Sequence, residues 1–163
     1  MLHNEQQHRV YIETSIPSFY YTLRKDTESI AKQNWTRKWW DQYADKFLLF
    51  SSLAVIEELS DGTSEKTQDR IDLVENLEML SISPKIHRIT QIYIDRLIMP
   101  QDPFGDALHL AIASFHNVDA LLTWNCNHIA NLNKVYLIRQ INQELGLPTP
   151  ELATPLNYLG VDD

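Results

Sequence analysis

The sequence predicts an α/β fold in which a central, mostly parallel sheet is flanked by helices. Short apolar runs alternate with longer segments whose apolar residues recur at every third or fourth position, as in repeated strand and helix units. The run DALLTW at 119–124 is too continuously apolar for a half-exposed strand, which indicates a sheet covered on both faces. These observations predict three layers, with helices on either side of the strands.

The length and composition of the chain indicate one domain. Its 163 residues are 44% hydrophobic, enough for one substantial core and too few for two ordinary domains, so we expect a single domain over residues 1–163. No apolar run approaches the roughly 20 residues of a membrane helix, and the polar start MLHNEQQHRV is unlike a signal peptide. With a single cysteine, Cys126, no internal disulfide can form, and we expect a cytoplasmic protein.

The first part of the chain is predicted to hold two strands and three helices. RVYIET at 9–14 combines β-branched and aromatic residues and predicts a buried strand, which the turn SIPS ends. Apolar residues at helical spacing predict a helix over 27–47, and FLLFSS at 47–52 predicts the second strand. AVIEELSDG at 54–62 predicts a helix that ends at its Asp-Gly turn, and a further helix is expected within 65–80.

The second part alternates in the same way. LSIS at 80–83 predicts a brief strand, and Pro84 opens a helix through Ile98. QDPFG at 101–105 predicts a turn before the helix DALHLAIASFH at 106–116, whose apolar residues form one stripe. The remaining predicted elements are the strand DALLTW, a turn and short helix at 125–133, a helix over 134–146 and a short edge strand near ELATP.

Polar residues follow the predicted strands, at the points where the strands end. Glu13 follows the first strand, Glu57 and Glu58 follow the second, and Asn125 follows DALLTW. Asp106 opens the preceding helix, where an acid also interacts favourably with the helix dipole. Because the carboxyl ends of parallel strands meet at one edge of a sheet, and ligands bind there, we predict a site at this edge.

A cluster of carboxylates at that edge favours a hard divalent cation. Mg²⁺ and Mn²⁺ prefer carboxylate oxygens, and they can orient a water against a phosphodiester and stabilise the leaving oxygen. Carboxylates brought together without a cation repel one another, and one tends to protonate. The net charge of −8 argues against binding nucleic acid through general electrostatics, although bound metal reverses the local field and a basic partner suits an acidic surface.

Four segments resemble, in order, the motifs of PIN domains. They are YIETS at 11–15, S-x-x-V-x-x-E-L at 52–59, GDALHLAIA at 105–113 and LLTWNCNH at 121–128. Together they span most of the chain, and the Thr-Pro pair at 154–155 resembles the tail of a VapC-like subgroup. The resemblance implies a PIN-like three-layer fold and a metal-dependent endoribonuclease, the toxin of a toxin-antitoxin pair.

The resemblance also implies the site residues and the partners. It assigns Glu13, Glu58 and Asp106 as ligands of Mg²⁺ or Mn²⁺, with Glu13 standing where the family usually has Asp. Asn125 falls on the fourth catalytic position, often Asp, and would offer a carbonyl oxygen or orient water. Thr123 would hold the site by hydrogen bonding. An RNA substrate, a cognate antitoxin and a homodimer are the partners that this resemblance implies.

Other interpretations stay open. Glu57 is an alternative ligand to Glu58, although the motif spacing favours Glu58. The departures at Glu13 and Asn125 also suit a PIN-like module that binds RNA or an antitoxin without cleaving anything. A receiver-like phospho-acceptor domain likewise clusters acids at strand ends, but it needs a lysine near the end of a late strand, where this chain has Thr-Trp-Asn.

Two further features are interpreted as structural. His109 lies one turn after Asp106, and we expect it to pack beside the apolar stripe of its helix. The helix that carries Trp35, Trp39 and Trp40 has the composition of a base-stacking platform. Aromatic residues at this spacing more commonly form a core or a dimer interface, and we expect partner binding in this region.

Overall fold

In the computed structural model, residues 7–97, 103–126 and 132–159 are described, and they form five strands and seven α-helices. The strands are β1 (Arg9–Ile12), β2 (Leu48–Ser51), β3 (Glu78–Met79), β4 (Ala120–Leu122) and β5 (Glu151–Ala153). The helices are α1 (Ser15–Tyr20), α2 (Thr27–Gln42), α3 (Leu53–Ser60), α4 (Thr67–Val74), α5 (Pro84–Leu97), α6 (Pro103–Phe115) and α7 (Leu132–Leu145). Short 3₁₀ turns at Ala44–Lys46 and Pro155–Tyr158 follow α2 and β5.

The strands form one parallel sheet in the order β3-β2-β1-β4-β5. β1 is central, with Tyr11 opposite Phe50 of β2 and Leu121 of β4. The chain runs from β1 outward to β2 and β3 and then crosses to the other side of β1 for β4. Ligand-binding crevices form at such a reversal, outside the carboxyl ends of the strands. The prediction of an α/β fold with a mostly parallel central sheet is confirmed.

The centre of the core is built from β1 and β4. Val10, Tyr11 and Ile12 are fully buried, and so is every residue of β4. Continuous burial is expected of parallel strands that are covered on both faces. Trp39 of α2 and Ile112 of α6 are equally inaccessible, so the helical stripes predicted from the sequence do face the core. In the described ranges, no helix combines the length and apolar content that crossing a membrane requires.

Two predicted turns are helical in the structure. SIPS at 15–18 is the beginning of α1 rather than a turn, with Pro17 in its first turn. The first N–H groups of a helix have no intrahelical acceptor, so proline is tolerated there. The helix predicted from 106 begins instead at Pro103, so part of the predicted turn QDPFG forms the first helical turn. A helix can therefore start inside a segment that contains turn-forming residues.

Other element boundaries move by a few residues. The brief strand predicted at 80–83 lies slightly earlier, at Glu78–Met79, where it pairs with β2. The helix predicted over 27–47 ends at Gln42 and is continued by a 3₁₀ turn. The turn and short helix predicted at 125–133 fall largely outside the described residues. A receiver-like domain would have the strand order 2-1-3-4-5, so that alternative is wrong.

Asn142 of α7 joins three parts of the fold through buried hydrogen bonds. Its Oδ1 accepts from the hydroxyl of Tyr93 in α5. Its Nδ2 donates to Oγ of Ser114 in α6 at 3.2 Å and to Oγ1 of Thr149 at 3.1 Å. Asn142, Tyr93 and Ser114 are all buried, so water does not replace these bonds when they are broken.

We expect Asn142→Ala to destabilise the protein, because each buried partner left without a hydrogen bond costs about 1–3 kcal/mol. Urea unfolding followed by circular dichroism measures the free energy of unfolding. Gln143→Ala, at the exposed neighbouring position, is the matched control and should change that free energy by less than about 0.5 kcal/mol. Equal effects of the two substitutions would contradict this role of Asn142.

Candidate active site

The carboxylate of Glu13 joins the ends of β1 and β4. It directly follows β1, and its side chain is buried, with only 2% of the residue exposed. Oε2 accepts hydrogen bonds from the backbone N–H of Ser15 at 2.8 Å and from Oγ1 of Thr123 at 3.0 Å. Oε1 accepts from Nδ2 of Asn125 at 3.2 Å. These three donors hold the carboxylate at the point where the strand order reverses.

Burial raises the pKa of Glu13, because a charged carboxylate is poorly solvated at this depth. The positive charge of His109 opposes this effect, and so do the hydrogen bonds from Ser15 and Thr123. The net direction remains upward, so Glu13 keeps a proton at higher pH than an exposed glutamate does. A nearby cation would favour its ionised form.

Glu58 and His109 form an ion pair at the same edge of the sheet. Nε2 of His109 lies 2.5 Å from Oε1 of Glu58. The His109 side chain is 1% exposed, whereas the Glu58 side chain is 38% exposed. On the other side of the ring, Nδ1 lies 2.7 Å from the hydroxyl of Tyr11, which lies 2.7 Å from Oγ of Ser52. A buried chain of polar groups thus links β1, α3 and α6 and ends at a carboxylate that reaches solvent.

Three carboxylates act on this one imidazole. Burial by itself would lower the pKa of His109, but the hydrogen bond to Glu58 and the charges of Glu58, Glu13 and Asp106 outweigh it and raise that pKa. Burial would raise the pKa of Glu58, but the hydrogen bond and charge of His109 outweigh it and lower that pKa. The three acids therefore lie around an imidazole whose protonated form they favour.

The structure thus corrects the interpretation of His109 as core packing. The residue is buried, as expected, but its ring is hydrogen-bonded to a site carboxylate instead of only filling apolar space. One signal in the sequence pointed to this position. His109 is three residues after Asp106 on a helix, a spacing that puts both side chains on one face.

Asp106 lies in the first turn of α6 and is half-buried. A Cβ atom built on its neighbour Gly105 would lie 3.9 Å from Oε1 of Glu58, so the start of α6 closely approaches that carboxylate. Glu13, Glu58 and Asp106 are therefore all found at the predicted edge. In the described part of the chain, however, no three His, Cys, Asp or Glu side chains are placed to hold a metal ion together.

Glu57 points elsewhere. It is exposed and lines a separate groove of about 430 Å³ with Leu53, Met79 and Leu108 among its walls. Adjacent helix positions differ in direction by about 100°, which explains why only one of the two glutamates reaches His109. Of these two glutamates, Glu58 is therefore the one that belongs to the acidic cluster.

Asn125 shapes the turn after β4 and also contacts the cluster. Its backbone N–H donates to Oγ1 of Thr123 at 2.9 Å, while its side chain donates to Glu13. Thr123 is buried and makes the kind of supporting hydrogen bond that the motif implied. Asn127, a second polar residue that follows this strand in the sequence, lies outside the described residues.

The aromatic residues of α2 divide between two environments. Trp39 is completely buried in the core, and Trp40 packs against the core. Trp35 is half-buried and stacks on Trp124, with ring centroids 6.1 Å apart and planes 28° apart. Most of the proposed base-stacking platform is therefore core, and Trp35 lies beside the turn that carries Asn125.

The fold is PIN-like, as the four motifs predicted. No protein-family model matches the sequence, and no curated protein matches it. Among solved structures, the chain is similar to the crystal structure of FitAcB from Neisseria gonorrhoeae, with a TM-score of 0.50 and 10% sequence identity. The likeness covers 90% of this chain and 98% of that chain. FitB is a PIN-domain, VapC-like toxin whose antitoxin is FitA, and at this identity the two proteins are alike in fold.

The ion pair predicts a particular dependence of stability on pH in metal-free buffer with EDTA. The pKa of His109 is raised above its ordinary value of 6.5, so its stabilisation is complete below pH 6.5 and is lost as pH rises through the folded-state pKa. The pKa of Glu58 is lowered from 4.5, so its stabilisation is complete above pH 4.5 and is lost as pH falls through the folded-state pKa.

We expect His109→Gln to remove the part of this profile that lies above pH 6.5. The wild-type-minus-variant difference in unfolding free energy should fall with rising pH, by at most about 1.4 kcal/mol per pH unit. Urea titrations between pH 5 and 9 measure it. His87→Gln, an exposed histidine on α5, is the control. Parallel profiles for wild type and His109→Gln would show that folding does not shift the pKa of His109, and a difference that rises with pH would show that folding lowers this pKa.

Proposed function

We propose that this chain is a metal-dependent endoribonuclease that hydrolyses phosphodiester bonds in single-stranded or loop RNA. The observation that carries the proposal is the gathering of Glu13, Glu58 and Asp106 around His109 at the carboxyl edge of a PIN-like sheet. Like charges concentrated in one partly buried crevice are costly, and they are tolerated where a cation or a developing positive charge has to be held.

The donor set suits Mg²⁺ or Mn²⁺, which would bind through the carboxylates of Glu13, Glu58 and Asp106. Hard oxygen ligands are what these ions prefer, and Mg²⁺ commonly takes only one or two carboxylates, with waters and substrate phosphate in the remaining positions. Among the described residues no three His, Cys, Asp or Glu side chains are placed to hold one ion together, so a bound ion would contact only one or two of these carboxylates at a time. When bound, the ion would supply an activated water and stabilise the charge that develops on the phosphate.

The residues of the site would have different roles in binding and orienting the substrate. Glu13 is immobilised by Ser15, Thr123 and Asn125, which makes it the anchored carboxylate of the site. Glu58 is oriented by His109 and still reaches solvent, so it can face a substrate. Asn125 has an amide that can hold a water or a phosphate oxygen next to Glu13.

The proposed partners follow from the same reasoning. FitB acts with the antitoxin FitA, and we propose that this chain is likewise the toxin of a pair, inhibited by a cognate antitoxin. An acidic crevice would accept an arginine from such a partner, because guanidinium binds carboxylates in a bidentate way. We also propose a homodimer, as the family resemblance implied, and a cytoplasmic location, which the single cysteine favoured.

A second candidate function is a PIN-like module that binds RNA or an antitoxin without cleaving. One observation favours it: Glu58 already has a cationic partner in His109, and both oxygens of Glu13 accept hydrogen bonds. In such a protein the imidazolium would permanently take the place of a metal ion. Metal-independent partner binding without turnover on any RNA would support this candidate.

The test of cleavage uses purified protein with structured and unstructured RNA in Mn²⁺, Mg²⁺ or EDTA. We expect cleavage that needs metal and that falls by about 100-fold or more in Asp106→Asn, since loss of a site carboxylate weakens metal binding and transition-state stabilisation together. Gel analysis of labelled RNA gives the rates.

Adjacent glutamates provide the matched control for this test. Glu58→Gln should lose activity like Asp106→Asn, whereas Glu57→Gln should keep it, because Glu57 lines a different groove. Thermal melting of each variant checks that it is folded. Cleavage that persists in EDTA, or equal rates for the Glu58 and Glu57 variants, would contradict the assignment.

A further inference from the structure

A polar pocket lies beside the acidic cluster, between α1, α2, α4 and the turn after β4. Its volume is about 500 Å³. The side chains that line it are Ser18, Phe19, Thr22, Arg24, Lys32, Arg70 and Asn125. None of the described lining residues is an acid, although the chain as a whole has a net charge of −8. A concentration of positive charge in so acidic a protein indicates an anion-binding pocket.

The three cations come from separate elements that the fold brings together. Arg24 lies in the loop between α1 and α2, Lys32 on α2 and Arg70 on α4. Lys32 also pairs with Glu28 at 2.9 Å, but the Glu28 side chain is 77% exposed and belongs to the solvent side of α2. An ammonium has three N–H donors, so Lys32 keeps donors for a ligand that enters the pocket.

Arg70 has unused hydrogen-bonding capacity. Its Nη2 donates to the backbone carbonyl of Tyr21 at 3.0 Å, which fixes the guanidinium against α1. Its Nε is buried and, within the described part of the chain, has no hydrogen-bond partner. Buried donors are normally paired, so an unpaired guanidinium N–H beside a polar pocket points to a ligand that accepts hydrogen bonds.

Aromatic rings fix the position of Lys32. Its Nζ lies 5.1 Å from the centre of the Phe19 ring and 5.6 Å from the centre of the Trp124 ring. Trp124 is itself held by a hydrogen bond from its Nε1 to Thr36 at 2.8 Å. Cation–π interactions of this kind hold an ammonium in place while leaving its N–H groups able to bind an anion.

Asn125 connects this pocket with the acidic cluster. It lines the pocket, and its Nδ2 donates to Oε1 of Glu13. A ligand in the basic pocket therefore lies next to whatever is held at Glu13. Two consecutive phosphates of one nucleic-acid strand would therefore contact two adjacent sites on the protein. Arginine is the side chain best suited to bind them.

We infer that the pocket formed by Arg24, Lys32 and Arg70 binds a backbone phosphate of single-stranded RNA, next to the phosphate held at the acidic cluster. This inference rests on the proposed function for the identity of the strand. RNA is favoured over an acidic peptide because the pocket continues, through Asn125, into the crevice where the proposed function places a second phosphate of the same strand.

The experiment separates binding from cleavage by using the Asp106→Asn protein as the background. Fluorescence anisotropy with a labelled single-stranded RNA oligonucleotide, over a series of NaCl concentrations, gives Kd and its salt dependence. We expect Arg24→Gln and Lys32→Gln each to weaken binding by about tenfold, regardless of RNA sequence. The slope of log K against log salt should fall by about 0.7 for each phosphate that the protein no longer neutralises.

Arg88→Gln is the matched control, since Arg88 is an exposed arginine of α5 outside the pocket, and it should leave both Kd and slope unchanged. Arg70→Gln also removes the hydrogen bond to Tyr21, so its stability is checked by thermal melting. Arg24 is exposed and keeps the test valid if Arg70→Gln does not fold.

Binding that is equally strong in the pocket variants and in Arg88→Gln would overturn the inference. So would pocket variants that bind RNA normally but no longer bind a labelled poly-glutamate peptide, which would assign the pocket to an acidic protein segment. Pocket-dependent RNA binding by a protein that cleaves nothing would support the inference and refute the nuclease. If the wild type cleaves RNA but the pocket variants bind RNA as tightly as the control does, the nuclease proposal is supported and the inference about the pocket is refuted.

Discussion

The contact between the buried ring of His109 and the partly exposed carboxylate of Glu58 is the interaction on which the rest of the site depends. Burying the His109 ring removes it from water, and the attraction to Glu58 compensates only if both ring nitrogens are hydrogen-bonded. Here Glu58 binds one ring nitrogen and the hydroxyl of Tyr11 binds the other. The protonated form of His109, which these acids favour, would offset the repulsion among Glu58, Glu13 and Asp106 that would otherwise drive one of them to take up a proton.

The sheet order makes this pair possible. β1 supplies Tyr11 and Glu13 directly follows it, while α3, which follows β2, supplies Glu58. Because β1 lies between β2 and β4, residues that are distant in the sequence come together at the carboxyl end of β1. Glu13 then ties the end of β4 to that of β1 through Thr123, so the geometry of the crevice follows from the strand order and not from the loops alone.

The sequence allowed prediction of the fold class and of the acids at the carboxyl edge, because both follow from local patterns: apolar runs, helical spacing and polar residues after strands. It did not allow prediction of the hydrogen bond between His109 and Glu58. Those residues are 51 positions apart, and their meeting depends on how α3 and α6 are oriented in three dimensions. The α1 helix was missed for a different, local reason, since a proline in the first turn of a helix has the same local sequence pattern as a chain reversal.

The net charge of −8 was the strongest sequence-based objection to an RNA substrate, and the structure shows why a total charge is a poor guide. A field at a crevice depends on which charges line it and on the low-dielectric walls that focus it. In this protein the carboxylates at His109 and the cations at Arg24, Lys32 and Arg70 occupy adjoining places that share Asn125. A strand bound across both would meet attraction from the basic pocket and would need a cation only at the acidic cluster, so an acidic chain is compatible with a polyanionic substrate.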